Sequence, residues 1–157
     1  MKGIKVLKSS IFKDHRGYLW TSWEKKKIKL KFNHDKFSVS KKNVLRGLHG
    51  DSKTWKLVSC VFGKVFFIVV NNDKKSKEYL KKKTFILNHN KNIQILIPPK
   101  FVNGFLCLSD KCVFHYKLSY AGKYFDVKDQ MVVKWNDKRL KIKWPTKKNL
   151  LFSKRDK

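Results

Sequence analysis

Residues 57–71 read L-V-S-C-V-F-G-K-V-F-F-I-V-V-N, two apolar runs parted by Gly63. Short runs rich in Val and Phe on either side of a turn residue predict two β-strands, at Leu57–Phe62 and Lys64–Asn71. Working outward, strand-like patterns recur at Ile4–Leu7, Tyr18–Trp23, Ile28–Phe32, Lys36–Val39, Lys82–Leu87, Ile93–Ile97, Phe105–Leu108, Val113–Tyr120 and Lys141–Trp144. Turn residues separate them, in H-R-G, V-N-N-D, L-N-H-N, I-P-P and Y-A-G. No longer segment carries a 3.6-residue apolar stripe. Short strands at roughly 8–12-residue spacing predict a β-sandwich or barrel. No repeat, linker or low-complexity block divides the chain, so one all-β domain over residues 1–157 is expected.

The composition carries a competing signal. The chain has 39 basic and 11 acidic residues, a formal net charge of +28, which attracts phosphate backbones, anionic surfaces and anionic small molecules alike. Only four of the basic residues are Arg, at 16, 46, 139 and 155. Lys cannot imitate the planar, bidentate guanidinium that reads bases and phosphates. The Lys are also spread along the chain, in runs such as Lys25–Lys27, Lys81–Lys83 and Lys147–Lys148, rather than gathered on one element. This pattern is that of a lysine-biased solvated surface and weighs against a nucleic-acid partner.

Three cysteines, at 60, 107 and 112, form no C-x-x-C pair, and two of them sit inside apolar runs. Free thiols of this kind suit a reduced compartment, and a cytoplasmic location is expected. The N-terminal residues contain no apolar signal core, and no apolar run reaches the ~18 residues of a membrane span.

Two residues invite a chemical reading. In V-F-H-Y-K-L-S-Y, residues 113–120, Phe114, Tyr116 and Leu118 share one strand face, and His115 and Lys117 share the other. Tyr116 is then either a core tyrosine or a proton donor or acceptor beside a cavity. His49, in N-V-L-R-G-L-H-G, is either a polar strand-end residue or a chemical centre. Arg46 and His49 are three residues apart, so a straight strand turns them to opposite faces; Gly47 and Gly50 permit the bend that brings both to one site. A metal set is not expected. His49 has no second His two residues on, Asn103 stands in the later turn, and His15, His34, His89 and His115 are scattered. Catalysis by acid and base follows, with no cofactor.

Six blocks in order give a resemblance: N-V-L-R-G-L-H, K-L-V-S-C-V-F-G-K-V-F, I-P-P-K-F-V-N-G-F, F-H-Y-K, W-N-D-K-R-L-K-I-K-W-P and S-K-R-D. Together, from about Phe12 to Asp156, they resemble the dTDP-4-dehydrorhamnose 3,5-epimerase (RmlC-type) cupins. H-D-K-F, H-G-D-S-K-T-W-K-L-V and Y-K-L-S-Y-A-G-K-Y look closer to a branch acting on GDP-linked 4-keto-heptoses.

The resemblance implies a cupin-type β-barrel (jelly roll) and a metal-free epimerase for surface polysaccharide biosynthesis. It would invert C3, C5 or both of a nucleotide-diphospho-4-keto sugar. His49 takes the place of the general base, Asp156 of its orienting carboxylate, Tyr116 of the general acid and Lys56 of the group near the enolate oxygen. Arg16 and Arg46 match residues that contact the nucleotide-sugar. Thr21, His34, Lys36 and Asn103 stand at substrate-binding positions but differ from the rhamnose-pathway residues there, as does Phe67. These departures favour another nucleotide or sugar. The resemblance also implies a homodimer in which N-terminal residues such as Arg16 serve the neighbouring subunit. Two alternatives remain open: a non-catalytic basic barrel that binds a nucleotide-sugar or polyanion, and a nucleotide-sugar 3,4-ketoisomerase.

Overall fold

The computed structural model describes residues 1–125 and 127–157. Its strands, in chain order, are β1 Lys5–Lys8, β2 Ile11–Asp14, β3 Gly17–Trp20, β4 His34–Lys41, β5 Leu45–Gly50 and β6 Trp55–Phe62; then β7 Lys64–Asn71, β8 Lys82–Asn88, β9 Ile93–Ile97, β10 Phe101–Cys107, β11 Lys111–Ser119 and β12 Met131–Val132. They build two five-stranded sheets, ordered β1-β9-β6-β11-β4 and β12-β5-β10-β7-β8, and a separate β2–β3 hairpin. The pairings between these strands are antiparallel, and an isolated parallel bridge joins Val44 to Leu151. The sheets stack as the two layers of a jelly roll without closing into a continuous barrel.

Alternation along the strands explains the layering. Val58 and Phe114 from one sheet meet Phe67 and Phe105 from the other in the inter-sheet core. Phe105 stacks on Phe114 at 4.6 Å between ring centroids. The opposite face of β7, with Phe66, Ile68 and Val70, is covered by Leu140 and Trp144 from the C-terminal segment. With both faces buried, β7 has no solvent side on which to place polar residues, hence its unbroken apolar run.

Two expected strands are corrected. Residues 28–32 and 141–144 are not strands. Ile28, Leu30 and Phe32 dock on the outer face of the first sheet against Leu57 and Leu96, and Trp144 packs on Phe66 at 5.3 Å. A covering segment that presents alternate apolar side chains to a sheet shows the same period of two as a strand, without the ladder. Conversely, β2 and β5 carried too little apolar alternation to be predicted.

β5 positions the site. Asn103 of β10 lies opposite His49, and Phe105 opposite Arg46, so Gly47 and Leu48 together face Gly104 alone. This bulge is the bend that Gly47 and Gly50 permitted. The glycines are sterically required: a Cβ on Gly47 would sit 2.7 Å from the Asn103 carbonyl oxygen, and one on Gly50 would sit 2.1 Å from that of Phe101. Gly50→Ala is therefore expected to force β5 from β10 and lower stability by about 2–3 kcal/mol, the scale of overpacking. A lower urea midpoint with unchanged slope is the expected reading, and an unchanged midpoint would contradict the close approach.

Candidate active site

Five elements deliver side chains to one place. β5 brings Arg46 and His49, β6 brings Lys56, β10 brings Asn103, β11 brings Tyr116, and the C-terminal tail brings Asp156. An inner cavity of about 230 Å³ is lined by His49, Lys56, Asn103 and Tyr116, with Tyr124 and Gln130 at its side. An adjoining outer cavity of about 710 Å³ runs along the tail, residues 151–156. Arg46, His49, Tyr116 and Val127 line both.

Nε2 of His49 lies 2.6 Å from Oδ1 of Asp156. Asp156 Oδ2 accepts from the Ser153 hydroxyl at 2.9 Å, and the Asp156 side chain is only 3% exposed. Burial by itself raises this carboxyl, but the His49 hydrogen bond and charge, helped by Ser153 and the Gly47 backbone, hold it below the ordinary value. An ionised Asp156 accepts the Nε2 proton, which fixes the tautomer and leaves Nδ1 as the basic atom. The base of the tail is anchored by main-chain bonds: Leu45 N–H donates to the Leu151 carbonyl at 3.0 Å, and Leu151 N–H donates to that of Asn43 at 2.9 Å.

Lys56 Nζ donates to Oδ1 of Asn103 at 3.1 Å and to the His49 carbonyl at 3.3 Å. Both acceptors are neutral. Burial consequently pushes Lys56 down from 10.5 to about 8, with buried Asp51 drawing it the other way. Tyr116 lies on the inward face of β11 against the core, as the alternation predicted. Burial raises its hydroxyl far above the ordinary value, partly offset by the Arg46 charge, so it stays protonated and able to donate. Nε of Arg46 donates to the Ser40 hydroxyl at 3.0 Å, which aims the guanidinium along the cavity wall.

Other expected site residues separate. Lys36 lines the inner cavity with Nζ 4.1 Å above the Tyr124 ring. His34 stands one layer back, with Nδ1 3.1 Å from the Tyr120 hydroxyl and its ring against Tyr124. Arg16 and Thr21 do not join this chain's cavity. Arg16 sits at the tip of the β2–β3 hairpin, paired with Asp14 and 79% exposed at its side chain. Thr21 lines a different depression beside Trp23 and Gln94. Both belong to a part of the chain whose hairpin stands apart from the two sheets.

Tyr124, Gln130, Asp51 and Arg155 were not anticipated. Tyr124 and Gln130 lie in a segment without periodicity. Asp51 had a local signal, since its Oδ1 accepts from the Lys53 and Thr54 N–H groups as an Asp two and three residues earlier often does. Arg155 had one too, as a scarce Arg beside Asp156.

Among the described residues no three His, Cys, Asp or Glu side chains gather in a set able to hold a metal ion, and no helix is long and apolar enough to cross a membrane. The groups that do gather are a histidine paired with a carboxylate, a protonated phenol and an ammonium with a lowered pKa, on a jelly roll. That is the equipment of a proton-transfer enzyme.

Comparison with known proteins gives the class its particular form. Residues 1–157 match the family described as dTDP-4-dehydrorhamnose 3,5-epimerase. The Escherichia coli protein of that name is 33% identical, across 99% of this chain and 88% of its own length. A crystal structure of the Legionella pneumophila 3,5-epimerase in complex with dTDP-4-keto-L-rhamnose superposes with a TM-score of 0.92 at 31% identity, covering 99% of this chain and 86% of that one. The Bacillus anthracis enzyme, crystallised with TDP and PPi bound, gives 0.91 at 28% identity, covering 98% and 91%. The chain belongs to the dTDP-4-dehydrorhamnose 3,5-epimerase family and is an isomerase acting on nucleotide sugars. The relatives carry dTDP-sugar names and lend no support to the GDP-heptose branch that the local blocks had suggested.

Lys56 provides a test of the site's electrostatics. Between about 8 and 10.5 the unfolded chain holds the proton that the folded chain has lost, so this group's contribution to stability rises with pH across that window. Below it the penalty of a buried ammonium is fully present. Lys56→Met should exceed wild type in stability near neutral pH by on the order of 2 kcal/mol, and the gap should close as pH rises through the window. Urea midpoints measured against pH check this; a gap that does not vary with pH would contradict it.

Proposed function

We propose that this epimerase inverts C3, C5 or both of a dTDP-linked 4-keto-6-deoxy sugar, with His49 as base and Tyr116 as acid. The observation that carries the reading is the 2.6 Å His49–Asp156 pair lining the same cavity as Tyr116 and Lys56. A proton on carbon beside the 4-keto group is acidic because the electron pair left behind delocalises onto oxygen. Nδ1 of His49 takes that proton; the pair moves into the ring and onto O4 as an enolate. Asp156 stabilises the imidazolium that results. The Lys56 ammonium, whose hydrogen bonds go to neutral oxygens, supplies the positive charge that balances the negative charge developing on O4. Inversion requires a new proton on the opposite face, and the Tyr116 hydroxyl donates it. Both residues regain their starting protonation through solvent.

Arg46, Lys36 and, through Tyr124, His34 supply positive charge and ring surface for the nucleotide end. Asn103 acts through Lys56. The dTDP nucleotide is favoured by the names of the relatives, with a guanosine-linked sugar as the reading to exclude. The three buried free cysteines fit a reduced, cytoplasmic setting.

In deuterated solvent, wild-type protein with a dTDP-4-keto-6-deoxy sugar is expected to place deuterium at the inverted carbon, followed by NMR. His49→Ala should abolish uptake. Tyr116→Phe should lose inversion while retaining exchange at the abstracted position. Uptake by His49→Ala at the wild-type rate, or by wild type only from GDP-linked sugars, would refute this assignment.

A homodimer is part of the same proposal. Phe12 and Leu19, on opposite strands of the β2–β3 hairpin, are 68% and 72% exposed, and Arg16 lies at the hairpin's tip. An apolar hairpin standing off its own chain suits packing on a second copy, where Arg16 would reach that copy's nucleotide. Light scattering should give about twice the 18.7 kDa chain mass, and a monomer at micromolar concentration would contradict it.

A further inference from the structure

Asp156 is held against His49 by a segment that leaves the sheets after Leu151. The main-chain bonds at Leu151 fix the tail's base, five residues upstream, and leave its tip to other contacts. A further side-chain attachment runs from the tip to the opposite wall of the site. Both terminal nitrogens of Arg155 donate to Oε1 of Gln130, each at 3.2 Å. Gln130 is itself fixed, because its Nε2 donates to the Phe125 carbonyl at 3.2 Å and to the Tyr124 hydroxyl at 3.3 Å. Its neighbour Met131 opens β12, which pairs with β5 so that Val132 faces His49 and Met131 faces Gly50.

We infer that Gln130 and Arg155 are positioning residues forming a latch that keeps Asp156 on Nε2 of His49. The inference rests on the reading of His49 as the base. The geometry makes the latch effective. Arg155 and Asp156 are adjacent, so their side chains leave the tail in different directions, one to Gln130 and one to His49. A tail fixed at two such points loses the freedom to rotate about either. Both anchorages end on the same support, since β12 and His49 are joined through the β5–β12 ladder. The forked guanidinium suits the role, because two donors converging on one amide oxygen set direction as well as distance. A neutral amide partner also keeps a competing carboxylate away from the imidazolium that forms on His49.

The latch also lies between the two cavities. Gln130 lines the inner cavity and Arg155 the outer one, so their bond spans the boundary between them. With the bond made, the Asp156 carboxylate is shielded from water, and its hydrogen bond to His49 gains strength from that shielding. A released tip would hydrate the carboxylate and let the imidazole turn.

The test uses the full-length protein and two readouts. In the first, the proton on Nε2 of His49 is followed by NMR, where a short, shielded His–Asp hydrogen bond gives a far-downfield resonance. It should be present in wild type, absent in Asp156→Asn, and lost or broadened in both Gln130→Ala and Arg155→Ala, with the core methyl resonances of β7 unchanged. Arg155→Lys, which keeps one charged donor for Gln130, should retain it. In the second, deuterium uptake into the 4-keto nucleotide sugar should show kcat falling about tenfold in each alanine variant, the scale of losing one supporting hydrogen bond. KM should stay within about twofold, and the double variant should be no worse than either single one. An intact resonance in both alanine variants would overturn the latch, as would a rise in KM at unchanged kcat, which would make Arg155 a substrate ligand instead. A wild-type protein that shows the resonance pattern but takes up no deuterium would remove the functional reading and leave the latch standing.

Discussion

A single hydrogen bond of 2.6 Å joins His49 to Asp156 across 107 positions of sequence, and much of the architecture can be understood as what makes that bond available. His49 must leave the regular line of its strand, so β5 carries a bulge at Gly47 and Leu48 opposite Gly104. The bulge demands backbones too close for side chains, and glycines stand on both strands. Asp156 must arrive from the far end of the chain, so residues 131–152 cross the outer face of the second sheet, anchored by Leu140 and Trp144, before the tail turns in. A carboxylate buried there is stable only because His49, Ser153 and a backbone N–H answer its charge.

The rest of the site is a balance of charge among side chains. Lys56 is surrounded by neutral acceptors and a more distant Asp51, an arrangement that leaves its positive charge unneutralised until an anion forms nearby. Tyr116 is held protonated by burial, while His49 is held in one tautomer by Asp156. His49, Tyr116 and Lys56 thus owe their states to different causes: a paired carboxylate, burial against the core and neutral hydrogen-bond acceptors. Of the many basic residues, Lys36, Arg46 and Lys56 line the inner cavity. Lysines lie exposed on strands and loops throughout, as in Lys82 and Lys83 on the edge strand β8, where they discourage pairing with another sheet.

How far the residues could be read varied with the kind of information. The strands β6, β7, β8 and β9 were legible because burial on one or two faces leaves a period in the sequence. The segments at 28–32 and 141–144 misled because side chains docked on a sheet imitate that period. His49, Lys56, Tyr116, Asp156, Arg46 and Asn103 came from ordered blocks and Lys36 from a departure outside them, and the structure brings all of them to one pair of cavities. Arg16 and Thr21 came from the same resemblance but stand outside this chain's cavity, since a linear pattern does not say where a hairpin will be placed relative to the sheets. Gln130 and Tyr124 left no trace in periodicity: an irregular segment is placed by tertiary contacts alone. Asn103 shows the reverse case, a departure visible in sequence whose meaning, an uncharged seat for Lys56, required the structure.

The central claim concerns geometry at the reacting carbon, and a co-crystal structure with a dTDP-4-keto-6-deoxy sugar measures it most directly. The expected complex has C3 or C5 within about 3.5 Å of Nδ1 of His49. The Tyr116 hydroxyl should lie on the opposite face of the sugar ring, and Lys56 Nζ in hydrogen-bond reach of O4. A sugar ring seated away from His49, or one with both residues on the same face, would contradict the account.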